Sequence, residues 1–258
     1  MTDRVTLITG ASSGIGAELA RIFAAAGHKV ALVARRADRL TGLAASIEAA
    51  GGPQPVVIAC DLQDPGAGVS IAGQLEAQNL EVDFLVNNAG FGLFGQAAAL
   101  DREQQLAMVD LNVRALTDLS LRFSGSIVRH KGGILNVASI AAFMPGPSMA
   151  VYYASKAFVL SFTEALRGEL GPKGVKVTAL CPGPVPTEFQ DRAGFAPGID
   201  SAVLNVSARD VAQAGYRGLM KDRQVVLPGV GIRMIPFFLR FTPRNLVLAA
   251  VSRVQGSR

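Results

Sequence analysis

The chain has 258 residues, half of them hydrophobic, with 28 glycines, two cysteines, no tryptophan and a net charge of +5. That is ample for one large core, and it fits one domain better than two. No apolar run reaches the ~18 residues of a membrane span, the N-terminus M-T-D-R-V-T lacks a signal-peptide pattern, and the arginines are interleaved with apolar residues instead of forming a nucleic-acid-binding run.

Cys60 and Cys181 belong to no C-x-x-C pair and each ends an apolar run. Both are expected to be buried free thiols, with no metal site, in a reducing cytoplasm. The charge is uneven. Arg217 to Arg258 holds eight Lys/Arg against one Asp, a net +7, which leaves −2 for the remainder.

Short apolar runs alternate with helical patterns along the chain. Strands are predicted at Val5–Thr9, Lys29–Ala34, Pro55–Cys60, Phe84–Asn87, Gly133–Ala138, Val175–Cys181 and Gln224–Leu227. Helices are predicted at Ile15–Ala26, Ala37–Ala50, Ala67–Gln78, about Asp101 to Arg129, Tyr152–Leu170 and, after a Ser207…Asp210 capping box, to about Met220. Continuously apolar strands suit a sheet covered on both faces. The β/α alternation implies parallel strands with right-handed crossovers. The expected fold is α/β: a single-domain, Rossmann-like, doubly wound parallel sheet with ligands at the C-terminal strand ends. Residues 1–228 would form the body and 229–258 an apolar, basic extension.

The first strand runs into T-G-A-S-S-G-I-G, Thr9 to Gly16, and then a helix. Glycines there permit a tight turn and a close backbone approach to a pyrophosphate, and the helix N-terminus offers free N–H groups. Strand before and helix after are the context that makes such a turn a dinucleotide site. Gly10, Ser12, Ser13, Gly14, Ile15 and Gly16 are therefore candidate cofactor contacts. The second strand ends at Ala34 and is followed by Arg35 and Arg36, where a ribose-binding carboxylate would otherwise stand. Guanidiniums pair with phosphate, and Ser12 and Ser13 could assist, so NADP(H) is expected over NAD(H).

Residues 152–156 read Y-Y-A-S-K. Positions four apart share a helix face. Geometry therefore leans to Tyr152 as the partner of Lys156, without excluding Tyr153.

Taken together, T-G-A-S-S-G-I-G at 9–16, N-N-A-G at 87–90, Asn112 in D-L-N-V, Ser139 in V-A-S-I, Y-Y-A-S-K and C-P-G-P-V-P-T at 181–187 resemble the compact, single-domain branch of the short-chain dehydrogenase/reductase family. The resemblance covers roughly Val5 to Leu227. It implies a Y-x-x-x-K motif, which Tyr152 and Lys156 satisfy and Tyr153 does not. Ser139, Tyr152, Lys156 and Asn112 would form the catalytic set.

A tyrosine ordinarily titrates near ~10, and an ammonium one turn away is expected to lower that value. Ser139 would donate to the substrate oxygen as charge develops. The resemblance further implies that Lys156 bonds the nicotinamide ribose and that Asn112 holds a relay water. It also implies cofactor contacts at Asp61, Leu62, Asn88, Ala89, Gly90, Pro182, Gly183, Val185 and Thr187.

The loops after strands four to six carry Phe91, Leu93, Phe94, Ile140, Phe143, Met144, Pro145, Met149, Phe189 and Phe195. That apolar wall suits a small hydrophobic ketone or alcohol. The extension from Pro228, with expected breaks at Pro236 and Pro243, could form a lid, a subunit contact in a homodimer or homotetramer, or a peripheral membrane contact. The leading function is an NADP(H)-dependent carbonyl reductase or alcohol dehydrogenase. The alternative is a non-catalytic dinucleotide-binding regulator on the same fold.

Overall fold

Apolar runs of four to eight residues pair edge to edge and bury both faces, which is what a parallel sheet between helical layers requires. The computed structural model describes residues 3–189 and 206–256. Its strands are β1 (Asp3–Thr9), β2 (Val30–Ala34), β3 (Val56–Ala59), β4 (Leu80–Asn87), β5 (Gly133–Val137), β6 (Lys176–Leu180) and β7 (Val225–Val226). All pairings are parallel, in the order β3-β2-β1-β4-β5-β6-β7. The helices are α1 (Gly14–Ala25), α2 (Ala37–Ala49), α3 (Ala67–Glu76), α4 (Arg102–Val109), α5 (Leu116–His130), α6 (Ala150–Leu170), α7 (Ala208–Met220), α8 (Val230–Leu239) and α9 (Arg244–Gly256).

Side chains alternate across the strands and divide the core in two. Val5 and Leu7 pack with Ile71 of α3, Phe123 of α5 and Leu166 of α6. Ile8 and Leu32 pack on the other face with Phe23 of α1, Leu43 of α2 and Val211 of α7. The strand order reverses between β1 and β4, and a crevice opens outside their C-terminal ends. Thr9 ties the two ends together. Its Oγ1 accepts from the backbone N–H of Asn88 at 2.9 Å and of Ala89 at 3.1 Å. A buried polar chain holds the next strands: Asn87 Nδ2 donates to Asn136 Oδ1 at 2.9 Å, and Asn136 Nδ2 donates to Thr163 Oγ1 at 2.9 Å.

The structure corrects several boundaries. β4 starts at Leu80, not Phe84. Glu81 and Asp83 hide it in the sequence, yet Glu81 is paired with His130 at 2.7 Å and Arg129 at 3.1 Å, and Asp83 is buried. The single helix expected from Asp101 to Arg129 is two helices joined by a wider π-helical turn, Asp110–Ala115, with Asn112 inside it. Cys181 is buried and Cys60 only half-buried; both are free thiols. Pro236 does not break the chain but lies inside α8, and α9 begins directly after Pro243. The Ser207 cap is as expected: its Oγ accepts from Asp210 N–H at 3.1 Å.

Candidate active site

A cavity of about 880 Å³ runs along the C-terminal ends of the strands. Of the candidate cofactor residues, Gly10, Ser12, Ser13, Gly14, Ile15, Arg35, Arg36, Asp61, Leu62, Asn88, Ala89, Gly90, Pro182, Gly183, Val185 and Thr187 line it. Gly16 lies behind the wall, where a Cβ would collide with the Gly10 carbonyl and the Asn88 amide.

Local chemistry shapes the cleft for an extended anionic ligand. Gly10 has φ +66°, and a Cβ there would sit 2.7 Å from Asn88 Nδ2. Ser13 is the N-cap of α1 but makes no side-chain cap, and the first turn carries no acidic residue. The positive end of the helix is thus left to a ligand. Arg36 Nη2 donates to Ser12 Oγ at 3.0 Å and to Ser13 Oγ at 3.1 Å. Those residues fit a dinucleotide phosphate.

Arg35 is turned away from that cluster, toward Asp61 at 3.8 Å. Glu188, which the sequence reading passed over, bridges to Arg36 at 2.8 Å and approaches Arg39 at 3.9 Å. Arg36 first, and Arg39 with it, holds the Glu188 carboxyl below its ordinary value.

Ser139, Tyr152 and Lys156 converge on the same cavity. Ser139 Oγ accepts from Ala141 N–H at 3.1 Å as it caps the 3₁₀ turn Ile140–Phe143. That bond uses an acceptor lone pair, so the hydroxyl proton can still be donated, to Tyr152 here or to a substrate oxygen. Lys156 is buried and donates to the Val137 carbonyl at 2.8 Å. Its Nζ lies 5.9 Å from the centre of the Tyr152 ring.

The expected lowering of the Tyr152 pKa is corrected. Burial pushes it up to about 12, with a hydrogen bond from Ser139 pulling the other way. Burial likewise lowers Lys156 to about 8. Loss of water is the first cause of both shifts, and the ammonium is held against the strand carbonyl and not against the phenol.

Asn112 is buried and does not reach the cavity wall. Its Oδ1 accepts from Phe91 N–H at 3.1 Å, and its Nδ2 donates to the Phe91 carbonyl at 3.0 Å and to Ser155 Oγ at 3.1 Å. It clamps the loop after β4 to α6. Gly90 lies between it and Lys156: a Cβ there would be 2.9 Å from Asn112 Oδ1 and 3.4 Å from Lys156 Nζ.

Of the expected apolar wall, Phe91, Ile140, Met144, Met149 and Phe189 line the cavity. Phe94 does not; with Leu93 it packs behind Phe91 and Met149. Phe143 does not either, because the 3₁₀ turn aims it into the cluster of Leu116, Val159 and Leu160. Pro145 is also absent from the wall. Phe195 lies outside the described residues. The fourth side of the cavity is supplied by α9 with Ala250, Val251, Val254 and Gln255; the sequence suggests the extension as a lid without pointing to these residues. Gln255 Nε2 donates to the Tyr153 hydroxyl at 2.8 Å, so Tyr153 holds the extension.

Residues 4–195 match the family model described as short chain dehydrogenase. The chain belongs to the short-chain dehydrogenase/reductase family. It is 38% identical over 192 residues to sulfoacetaldehyde reductase 2 of Chromohalobacter salexigens, covering 73% of this chain and 75% of that protein. A short-chain dehydrogenase from Sphingobium yanoikuyae, solved in complex with NADPH, is 32% identical with a TM-score of 0.83, covering 93% of this chain and 92% of that one. A bulky-bulky ketone specific alcohol dehydrogenase from Comamonas testosteroni is 31% identical with a TM-score of 0.75, covering 88% and 87%. The short-chain dehydrogenase described here is therefore an oxidoreductase that uses a nicotinamide dinucleotide. The non-catalytic alternative finds no support among these relatives.

Proposed function

We propose that this enzyme interconverts a hydrophobic ketone and its secondary alcohol with NADP(H), using Tyr152 as general acid and base. The observation that carries the reading is the convergence of Ser139, Tyr152 and Lys156 on one cavity with the uncapped start of α1. When bound, the cofactor supplies or accepts the hydride. Tyr152, protonated through the neutral range at a pKa of about 12, then gives its proton to the carbonyl oxygen. The Ser139 hydroxyl donates to the same oxygen as charge grows there. Lys156 favours the phenolate left behind and would hold the nicotinamide ribose, while Asn112, its side chain taken by Phe91 and Ser155, acts as a positioning residue that fixes the loop after β4 against α6.

Arg36 with Ser12 and Ser13 supports NADP(H) over NAD(H), with Arg35 as a secondary contact beside Asp61. The NADPH complex of the Sphingobium relative is in keeping with that preference. Phe91, Ile140, Met144, Met149 and Phe189 favour an apolar substrate, as the bulky-ketone specificity of the Comamonas relative also suggests. A spectrophotometric screen of NADPH oxidation over hydrophobic ketones tests the reading. Turnover should rise with apolar bulk, and activity confined to small charged aldehydes would overturn it.

The extension acts, in this reading, as a lid whose inner side is α9. Phe237, Phe238 and Phe241 of α8 and its following turn are exposed. They suit a subunit contact in a homodimer or homotetramer, or a peripheral membrane contact of a cytoplasmic enzyme. Sedimentation velocity across protein concentration separates the first from a monomer.

A further inference from the structure

Glu188 and Phe189 are consecutive residues of the loop after β6, and both line the cavity. Their side chains meet different ends of it. Glu188 Oε2 lies 2.8 Å from Arg36 Nη2, the guanidinium that also donates to Ser12 and Ser13. Ser13 hydrogen-bonds the same carboxylate. An anion of the chain itself therefore occupies the place proposed above for the 2′-phosphate of NADP(H). The Phe189 ring lies 5.5 Å from the Tyr152 ring, tilted by 49°. Its tip, Met149 and Tyr152 converge over Gly92, where a Cβ would be 3.1, 3.1 and 3.3 Å from them.

We propose that Glu188 couples the 2′-phosphate of the cofactor to the substrate pocket. The phosphate takes Arg36 and Ser13 from the Glu188 carboxylate, and release of Glu188 lets Phe189 withdraw from Tyr152 and admit a bulky ketone. The proposal rests on the NADP(H) ketone-reductase reading above and adds a regulation of that site. The direction follows from the exchange. The ion pair is half-exposed on both sides and so is weak, whereas a phosphate offers Arg36 parallel charge-assisted bonds. Once the phosphate is seated, like charge repels the carboxylate. Consecutive residues share one stretch of backbone, so a shift that carries Glu188 away from Arg36 reaches Phe189 directly. NAD(H) lacks the phosphate, leaves Glu188 on Arg36 and keeps Phe189 over Tyr152.

The sequence holds no tryptophan, so Phe189→Trp places a single indole reporter beside Tyr152. Adenosine 2′,5′-bisphosphate and ADP are suitable probes, since only the first carries a 2′-phosphate and neither carries a nicotinamide. Saturating adenosine 2′,5′-bisphosphate should shift the indole emission, and ADP should leave it unchanged. With Glu188→Gln added, the shift should be present without nucleotide, and neither probe should add to it. Calorimetry with both probes reports their affinities separately. With Phe189 intact, KM for benzylacetone should be about fivefold or more lower with NADPH than with NADH, the low end of ordinary coupling between two sites. KM for 2-butanone should change little, and Glu188→Gln should bring the benzylacetone ratio close to one.

An emission shift with adenosine 2′,5′-bisphosphate in an enzyme that reduces neither ketone means that the ketone-reductase reading fails and the coupling stands. Preferential binding of adenosine 2′,5′-bisphosphate over ADP without a shift, or with the same shift in Glu188→Gln, overturns the coupling and leaves the cofactor reading intact. Equal affinity for the two probes overturns both. Should Phe189→Trp fail to fold, the benzylacetone ratio decides: a ratio unchanged by Glu188→Gln overturns the coupling.

Discussion

Tyr152 and Tyr153 are adjacent in sequence but face different chemistry. Tyr152 shares its cavity with Ser139 and Lys156, whereas the Tyr153 hydroxyl is taken by Gln255 and its ring lies on Gly146, where a Cβ would overlap it. Tyr152→Phe should therefore lower ketone turnover by about 10²–10⁴-fold, the range for losing a positioned acid, while fluorescence titration shows NADPH still binding. Tyr153→Phe should keep most turnover toward small ketones. Reversed phenotypes would put the proton chemistry on the wrong tyrosine.

Lys156 makes a separate prediction. It is charged below its lowered pKa of about 8, and its charge favours the phenolate that proton donation leaves. Reductive kcat/KM for NADPH should be level through the neutral range and fall as pH rises through about 8. A flat profile across that point would remove the ammonium from the mechanism. The motif made both residues legible in sequence, but the direction of the tyrosine shift was not. Burial decides it, and burial belongs to the folded surroundings.

Among the elements, the loop after β6 and the start of α2 meet across the cleft. Glu188 holds Arg36 beside Ser12 and Ser13, so the guanidinium is already poised but must exchange a carboxylate for a phosphate. Charged hydrogen bonds contribute roughly 1.5–3 kcal/mol. Arg36→Ala should therefore reduce the preference for NADPH over NADH by about 10- to 150-fold, and Arg35→Ala by much less. Glu188→Gln should tighten NADPH, since the competing carboxylate is gone. Comparing the dissociation constants of both cofactors across the three variants checks all of this. An Arg35 effect larger than that of Arg36 would contradict the geometry. The sequence pointed to both arginines but could not rank them, because Arg36 meets Ser12, Ser13 and Glu188 from two distant segments.

The extension shows the same limit. Its apolar and basic character was visible, but the contact of Ile232 with Gly183 was not: a Cβ on Gly183 would come 2.5 Å from Ile232 Cδ1. Ile232 is buried, so Ile232→Ala should loosen α8 at a cost of about 2–5 kcal/mol. KM for bulky ketones should rise more than KM for small ones; equal effects would remove the extension from substrate binding.

At the scale of the molecule, the doubly wound parallel sheet follows from apolar runs and their alternation with helices, whereas the strand order is seen only in the structure. The boundaries that shifted are those where polar residues are satisfied by distant partners, as Glu81 is by Arg129 and His130. Among the described residues no helix is long and apolar enough to cross a membrane. The proposed peripheral contact rests on the net +7 of residues 217–258 and on exposed Phe237, Phe238 and Phe241. Any pelleting with anionic vesicles should vanish at ~1 M salt, where the Debye length is only ~3 Å. Association that persists would mean apolar insertion.

In the proposed reaction, hydride passes from the nicotinamide to a hydrophobic ketone while Tyr152 supplies the proton. Reduction of benzylacetone with NADPH deuterated at the transferring position tests it most directly. Deuterium should appear on the carbinol carbon of the product with the unaltered enzyme, and almost none with Tyr152→Phe under conditions where that variant still binds NADPH. Oxidation of NADPH without label in the alcohol, or label transfer by Tyr152→Phe at the unaltered rate, would contradict it.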